Sequence, residues 1–174
     1  MFDAADTQAS QSQEETAKLL RLATYASTSV AIVLIAAKLF AWAASDSVSL
    51  LATLIDSMLD AVASIINLVA VRHALTPANK EHRFGHGKAE ALAGLSQSLF
   101  IAGSAGYLLI EAWQRVIQPS AVESVELGIF VMAISIAATM LLLAFQRHVI
   151  KKTNSTAIRA DALHYRTDLM VNGS

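Results

Sequence analysis

The apolar positions of this chain gather into four long blocks, at residues 22–44, 47–71, 89–110 and 127–145, separated by short polar connections. A helix needs roughly 20 apolar residues to cross a bilayer's hydrocarbon layer, so each block predicts one transmembrane helix. The third and fourth blocks hold no charged residue between Glu90 and Glu111 or between Glu126 and Arg147. The first contains Lys38, and the second contains Asp56 and Asp60. The long stem of Lys38 is expected to snorkel, carrying its ammonium to the outer headgroups. Ahead of the first block, residues 1–17 are polar and acidic, without the basic start and short apolar core of a secretory signal. They read as a disordered lead-in to a transmembrane domain spanning 18–174. After the fourth block a fifth helix begins near Ala160, with too few residues before Ser174 to cross a bilayer. The expected fold is therefore an all-α polytopic transmembrane helix bundle, four complete spans plus the start of a fifth, and the chain reads as a fragment.

Composition agrees with that picture. Of 174 residues, 55% are hydrophobic and only 16% charged, and the mean hydropathy is +0.49. These values are those of a membrane protein. Thirteen basic and 14 acidic residues leave a net charge of −1, so no basic field argues for nucleic acid. Cysteine is absent, which closes disulfide and thiolate-metal chemistry. The basic residues are unevenly distributed. Lys18 and Arg21 precede the first span, Arg72, Lys80, Arg83 and Lys88 flank the second connection, and Arg147, Lys151, Lys152 and Arg159 follow the fourth span, whereas the first connection has none and the third only Arg115. The positive-inside rule then puts the N-terminus and the even-numbered connections in the cytoplasm. Trp42 and Trp113 fall near the outer ends of their spans, where an interfacial belt would hold them. Asn154-Ser-Thr matches a glycosylation acceptor but lies on the cytoplasmic side, so the match is fortuitous.

The chemistry lies in the acids. A carboxylate at bilayer depth costs about 2.5–3.5 kcal/mol, so two in one helix need a compensating partner. In "LIDSMLD", Asp56 and Asp60 are four residues apart and share a helix face, where two like charges favour a cation or proton between them. "HYRTD" repeats the spacing with His164 and Asp168. Together the two pairs offer three carboxylates and one imidazole, enough for a four-coordinate metal shell. Such oxygen-rich ligation suits Zn2+, Fe2+, Mn2+, Co2+ or Cd2+ and disfavours Cu(I). Three carboxylates around a divalent ion leave one negative charge, which a proton can neutralise, and metal and protons compete for the same groups. His164, whose ordinary pKa of about 6.5 lies nearest neutrality, is the expected proton carrier, with the aspartates, Asp56 among them, sharing the role.

The stretches "LLATLIDSMLDAVASIINLVAVRHAL", "FGHGKAEALAGLSQSLFIAGSA", "FQRHVIKKTNS" and "ADALHYRTDLMVNG" resemble, in order, the cation diffusion facilitator family of divalent-metal/proton antiporters. The resemblance covers nearly the whole chain after the lead-in. It implies a bacterial inner-membrane exporter of Zn2+ or Fe2+ with six spans, a cytoplasmic metal-binding domain and a homodimer, and a transport site at Asp56, Asp60, His164 and Asp168. It implies no prosthetic group, and partners limited to divalent ions, protons, lipid and a second copy. Against that pattern the chain lacks most of span five, span six and the cytoplasmic domain.

The family often carries Asp-x-x-His-x-x-x-His in the second connection; the matching residues are Asn79, His82 and His86. An amide replaces the carboxylate, so a peripheral metal site there is expected to be weak or absent, unless Glu81 substitutes. Gly94, Ser98, Ala102 and Gly106 recur every four residues in span three and predict a face in close contact with another helix. No serine nucleophile with a base, thiol or nucleotide motif supports an enzyme. The rival expectation is a non-transporting helix bundle, or an inactive fragment of a transporter.

Overall fold

The computed structural model describes residues 2–77, 83, 85–117 and 125–172. Among the described residues there are five helices: α1 (Phe2–Ser45), α2 (Val48–Ala74), α3 (Lys88–Ile117), α4 (Val125–Thr153) and α5 (Thr156–Asn172). The first four are long and apolar enough to cross a membrane. At about 1.5 Å per residue, the 27 residues of α2 reach about 40 Å, more than the hydrocarbon thickness of about 30 Å.

Helix α1 begins at Phe2, twenty residues earlier than the first apolar block. The lead-in from Phe2 onward lies within that helix. It has no glycine or proline, it is rich in Ala, Gln and Glu, and Glu14 and Lys18 form an i,i+4 ion pair at 2.8 Å. The short turns use residues that tolerate left-handed backbone. Asp46 (φ 52°) separates α1 from α2, and Asn154 (φ 51°) separates α4 from α5. The Asn154 N–H donates to the Ile150 carbonyl at 2.9 Å, closing α4. That turn is the structural use of the Asn-Ser-Thr triplet.

The helices pack as a ring: α1 on α2, α2 on α3, α3 on α5, α5 on α4, and α4 back on α1. The buried face of α1 is Leu20, Thr24, Ser27, Ala31, Leu34, Lys38 and Ala41, alternating steps of four and three as a heptad does. On α2 it is Leu50, Leu54, Ser57, Ala61 and Ser64. Large apolar side chains such as Ile32, Phe40, Leu99, Leu109 and Leu141 point outward, while Thr, Ser, Asn, Gln, Asp and His occupy much of the interior. That distribution is the one lipid selects, because an outward leucine has nothing to gain from burial and an inward polar group can find a partner.

Two expectations are corrected here. Lys38 does not snorkel. It is 5% exposed, and its ammonium donates to Ser57 Oγ at 2.6 Å and to the Thr53 carbonyl at 3.1 Å, both on α2. Its heptad position turns the stem inward, and hydroxyl and carbonyl oxygens receive the charge there. The small-residue stripe of α3 packs only at its start, where a Cβ on Gly94 would lie 4.0 Å from Ala160 and Thr156; Ser98, Ala102 and Gly106 are exposed. Four-residue steps drift about 40° each around a 3.6-residue helix, so the stripe leaves the contact face. The face that meets α5 instead steps through Gln97, Ile101, Ser104 and Leu108.

Candidate metal centre

Helix α5 carries half of the predicted site, and several contacts hold it in register. Ser155 is its N-cap: Oγ accepts the Ile158 N–H at 3.2 Å and donates to Glu90 Oε1 of α3. The same Glu90 oxygen accepts the Ala157 N–H at 3.3 Å, placing a carboxylate at the positive end of α5. One turn on, Asp161 is fully buried. Its Oδ1 accepts from Gln97 of α3 at 2.9 Å, and its Oδ2 accepts from Gln146 of α4 at 2.7 Å. Tyr165 then ties α5 to the other side of the ring. Its hydroxyl donates to the Ser27 carbonyl of α1 at 3.2 Å and lies 2.8 Å from Ser64 Oγ of α2. A phenol has one proton, so Ser64 is the donor in the second bond.

Between these anchors, His164 faces α2. Its Nε2 lies 3.1 Å from Asp60 Oδ1 and 3.6 Å from Asp168 Oδ2. One ligand atom from each of the three residues lies within 4.8 Å of the other two. Tetrahedral ligands about 2.1 Å from a zinc-sized ion stand about 3.4 Å apart, so the observed spacings suit such an ion. His164 is 2% exposed. Its Nε2 and Asp168 Oδ2 are both buried, and neither makes a well-aligned hydrogen bond. Asp56, one turn before Asp60, borders with His164, Thr167 and Asp168 a cavity of about 10 Å³ closed by Ile101 and Ser104 of α3. A space of that size admits a single water-sized particle. A second, more open cavity of about 360 Å³ is lined by Asp56 and Ser104 again, together with Leu59, Leu99, Phe100 and Tyr107.

The structure thus brings Asp60, His164 and Asp168 together and sets Asp56 beside them. Asn79 and His82 lie outside the described residues. His86 is buried, with its ring edge-on to His73 at 4.5 Å between centroids and Nδ1 3.3 Å from the Thr76 carbonyl. Sequence reasoning missed Asp161, Tyr165, Ser104 and Thr167. Asp161 had a usable signal, since 161, 164 and 168 follow helical spacing on one face.

A polytopic helical membrane protein with an acidic and imidazole cluster between its second and fifth helices is the class these features define. The model of the cation efflux transmembrane domain matches residues 24–174. The chain belongs to the cation efflux family, the cation diffusion facilitators. It is 51% identical over 158 residues to the cation-efflux pump FieF of Pectobacterium carotovorum, covering 91% of this chain and 53% of that protein. It is 49% identical to the protein of the same name from Yersinia enterocolitica, over 91% and 53%, and 46% identical to that of Klebsiella pneumoniae, over 90% and 52%. The chain therefore spans about half the length of these curated relatives.

Proposed function

We propose that this chain is the transmembrane part of a divalent-cation/proton antiporter that exports Zn2+ or Fe2+ from the cytoplasm. The supporting observation is the convergence of Asp60, His164 and Asp168 from two helices, with Asp56 on the same cavity. Those four residues bind the transported ion through three carboxylates and one imidazole. Binding requires unprotonated ligands, so an arriving ion displaces protons and protons arriving from the other side displace the ion. His164 and Asp56 carry the exchanged protons. Asp56 borders both cavities, so it is the group through which an ion passes between the more open space and the enclosed one. The N-terminus faces the cytoplasm of a bacterial inner membrane, in keeping with the distribution of Lys and Arg, and the full transporter works as a homodimer.

Coupling is tested with the transporter in proteoliposomes. Zn2+ uptake into vesicles with an acidic lumen should exceed uptake at equal pH, because each pH unit adds about 1.4 kcal/mol per exchanged proton. A protonophore should abolish the difference. Uptake indifferent to the gradient would make the protein a uniporter.

The second-connection histidines play a lesser part. Replacing His82 and His86 together by Ala should reduce Zn2+ flux far less than replacing any one of Asp56, Asp60, His164 or Asp168, since Asn79 supplies no carboxylate. Calorimetry counting metal equivalents before and after substitution checks this, and equal losses from the two sets would reverse the ranking.

A further inference from the structure

The charge count at the metal centre includes a residue on α1. We infer that the ammonium of Lys38 is a fixed internal countercharge of the centre, so that a divalent ion held by Asp56, Asp60, His164 and Asp168 completes an electrically neutral site. This rests on the metal-binding reading above.

Three observations support it. Lys38 occupies a buried heptad position of α1, between Leu34 and Ala41. Its ammonium is held by Ser57 Oγ and the Thr53 carbonyl, on the α2 segment that also carries Asp56 and Asp60. Both partners are neutral, so the positive charge is solvated by dipoles and not cancelled by a bonded carboxylate. Ser57 is the residue after Asp56, and Thr53 lies three residues before it, so the ammonium docks within a turn of Asp56.

Three carboxylates and a divalent ion sum to −1, and Lys38 brings the sum to zero. Inside a membrane protein that balance matters, because a net charge left in a poorly polarisable interior is costly. A fixed positive charge also repels the bound cation. It therefore weakens binding enough for release, and it penalises a trivalent ion more than a divalent one, since the repulsion scales with the ion's charge. Lys38 is a positioning residue for charge and not a ligand.

The test compares Cd2+ with Tb3+, two ions of similar size, in the chain reconstituted in nanodiscs, with Asp60→Asn as control. Lys38→Gln should bind both ions more tightly than the unsubstituted chain, and the ratio of Tb3+ to Cd2+ affinity should rise about tenfold or more. Lys38→Arg, which keeps the charge, should leave the ratio unchanged. Should Lys38→Gln fail to fold, Lys38→Met keeps the stem's length and apolar packing and takes its place. A role confined to packing would lower both affinities together, and an unchanged ratio or a lowered Cd2+ affinity in the neutral variant would overturn the assignment. If the unsubstituted chain binds Cd2+ no better than Asp60→Asn does, the metal-centre reading falls and the role of Lys38 falls with it.

Discussion

Replacing Asp60 with Ala should weaken Zn2+ binding by more than about 100-fold while leaving the helical content unchanged. Losing a group that merely supports a metal ligand costs about 10–100-fold in affinity, and removing a ligand itself should exceed that range. Asp60 Oδ1 lies 3.1 Å from His164 Nε2, so its loss removes the carboxylate that α2 presents to the imidazole. The fold should survive, because the anchors of α5 at Glu90, Gln97, Gln146 and Ser64 do not involve Asp60. Competition with a fluorescent zinc indicator measures the affinity, and circular dichroism the helices. Binding weakened less than about tenfold would remove Asp60 from the site.

Asp161→Leu should destabilise the protein by about 2–6 kcal/mol and abolish metal binding, although Asp161 is not a ligand. Its two oxygens are the acceptors for Gln97 and Gln146. Leucine strands both amide donors in the interior, at about 1–3 kcal/mol each. It also cuts the ties of α5 to α3 and α4 three residues before His164, so the imidazole loses its placement against Asp60. Asp161→Asn should be much milder. The Oε1 atoms of both glutamines are unpartnered, so one glutamine amide can turn over and accept from the new Asn N–H, keeping both contacts. Thermal unfolding in detergent followed by Trp fluorescence, alongside zinc titration, distinguishes the two variants. Equal behaviour of Leu and Asn would mean that the buried carboxylate contributes nothing specific to the bundle.

The acidic and imidazole cluster is legible in the sequence because its pairing is local twice over. Asp56 with Asp60 and His164 with Asp168 each lie one helical turn apart, so each pair shares a face whatever the rest of the chain does. An ionisable group in an apolar block is conspicuous against its surroundings. The peripheral histidines are harder to read. His86 is engaged with His73, a residue at the end of α2 whose approach no spacing within the connection reveals.

By itself, the sequence determined the number of spans, their approximate ends and the two carboxylate-bearing pairs, because bilayer thickness and helix pitch are one-dimensional constraints that hydropathy and spacing satisfy directly. Only the tertiary structure decided which face of each helix meets protein. In lipid both faces can be apolar, so hydropathy alone does not separate them. Lys38 illustrates the difference: its partner Ser57 is 19 residues away on another helix, and the choice between headgroup and interior depends on that contact. Asp161 is another case, since its partner Gln97 is 64 residues distant. Long-range pairing of polar groups, which an interior without water makes obligatory, is settled by how the five helices close their ring.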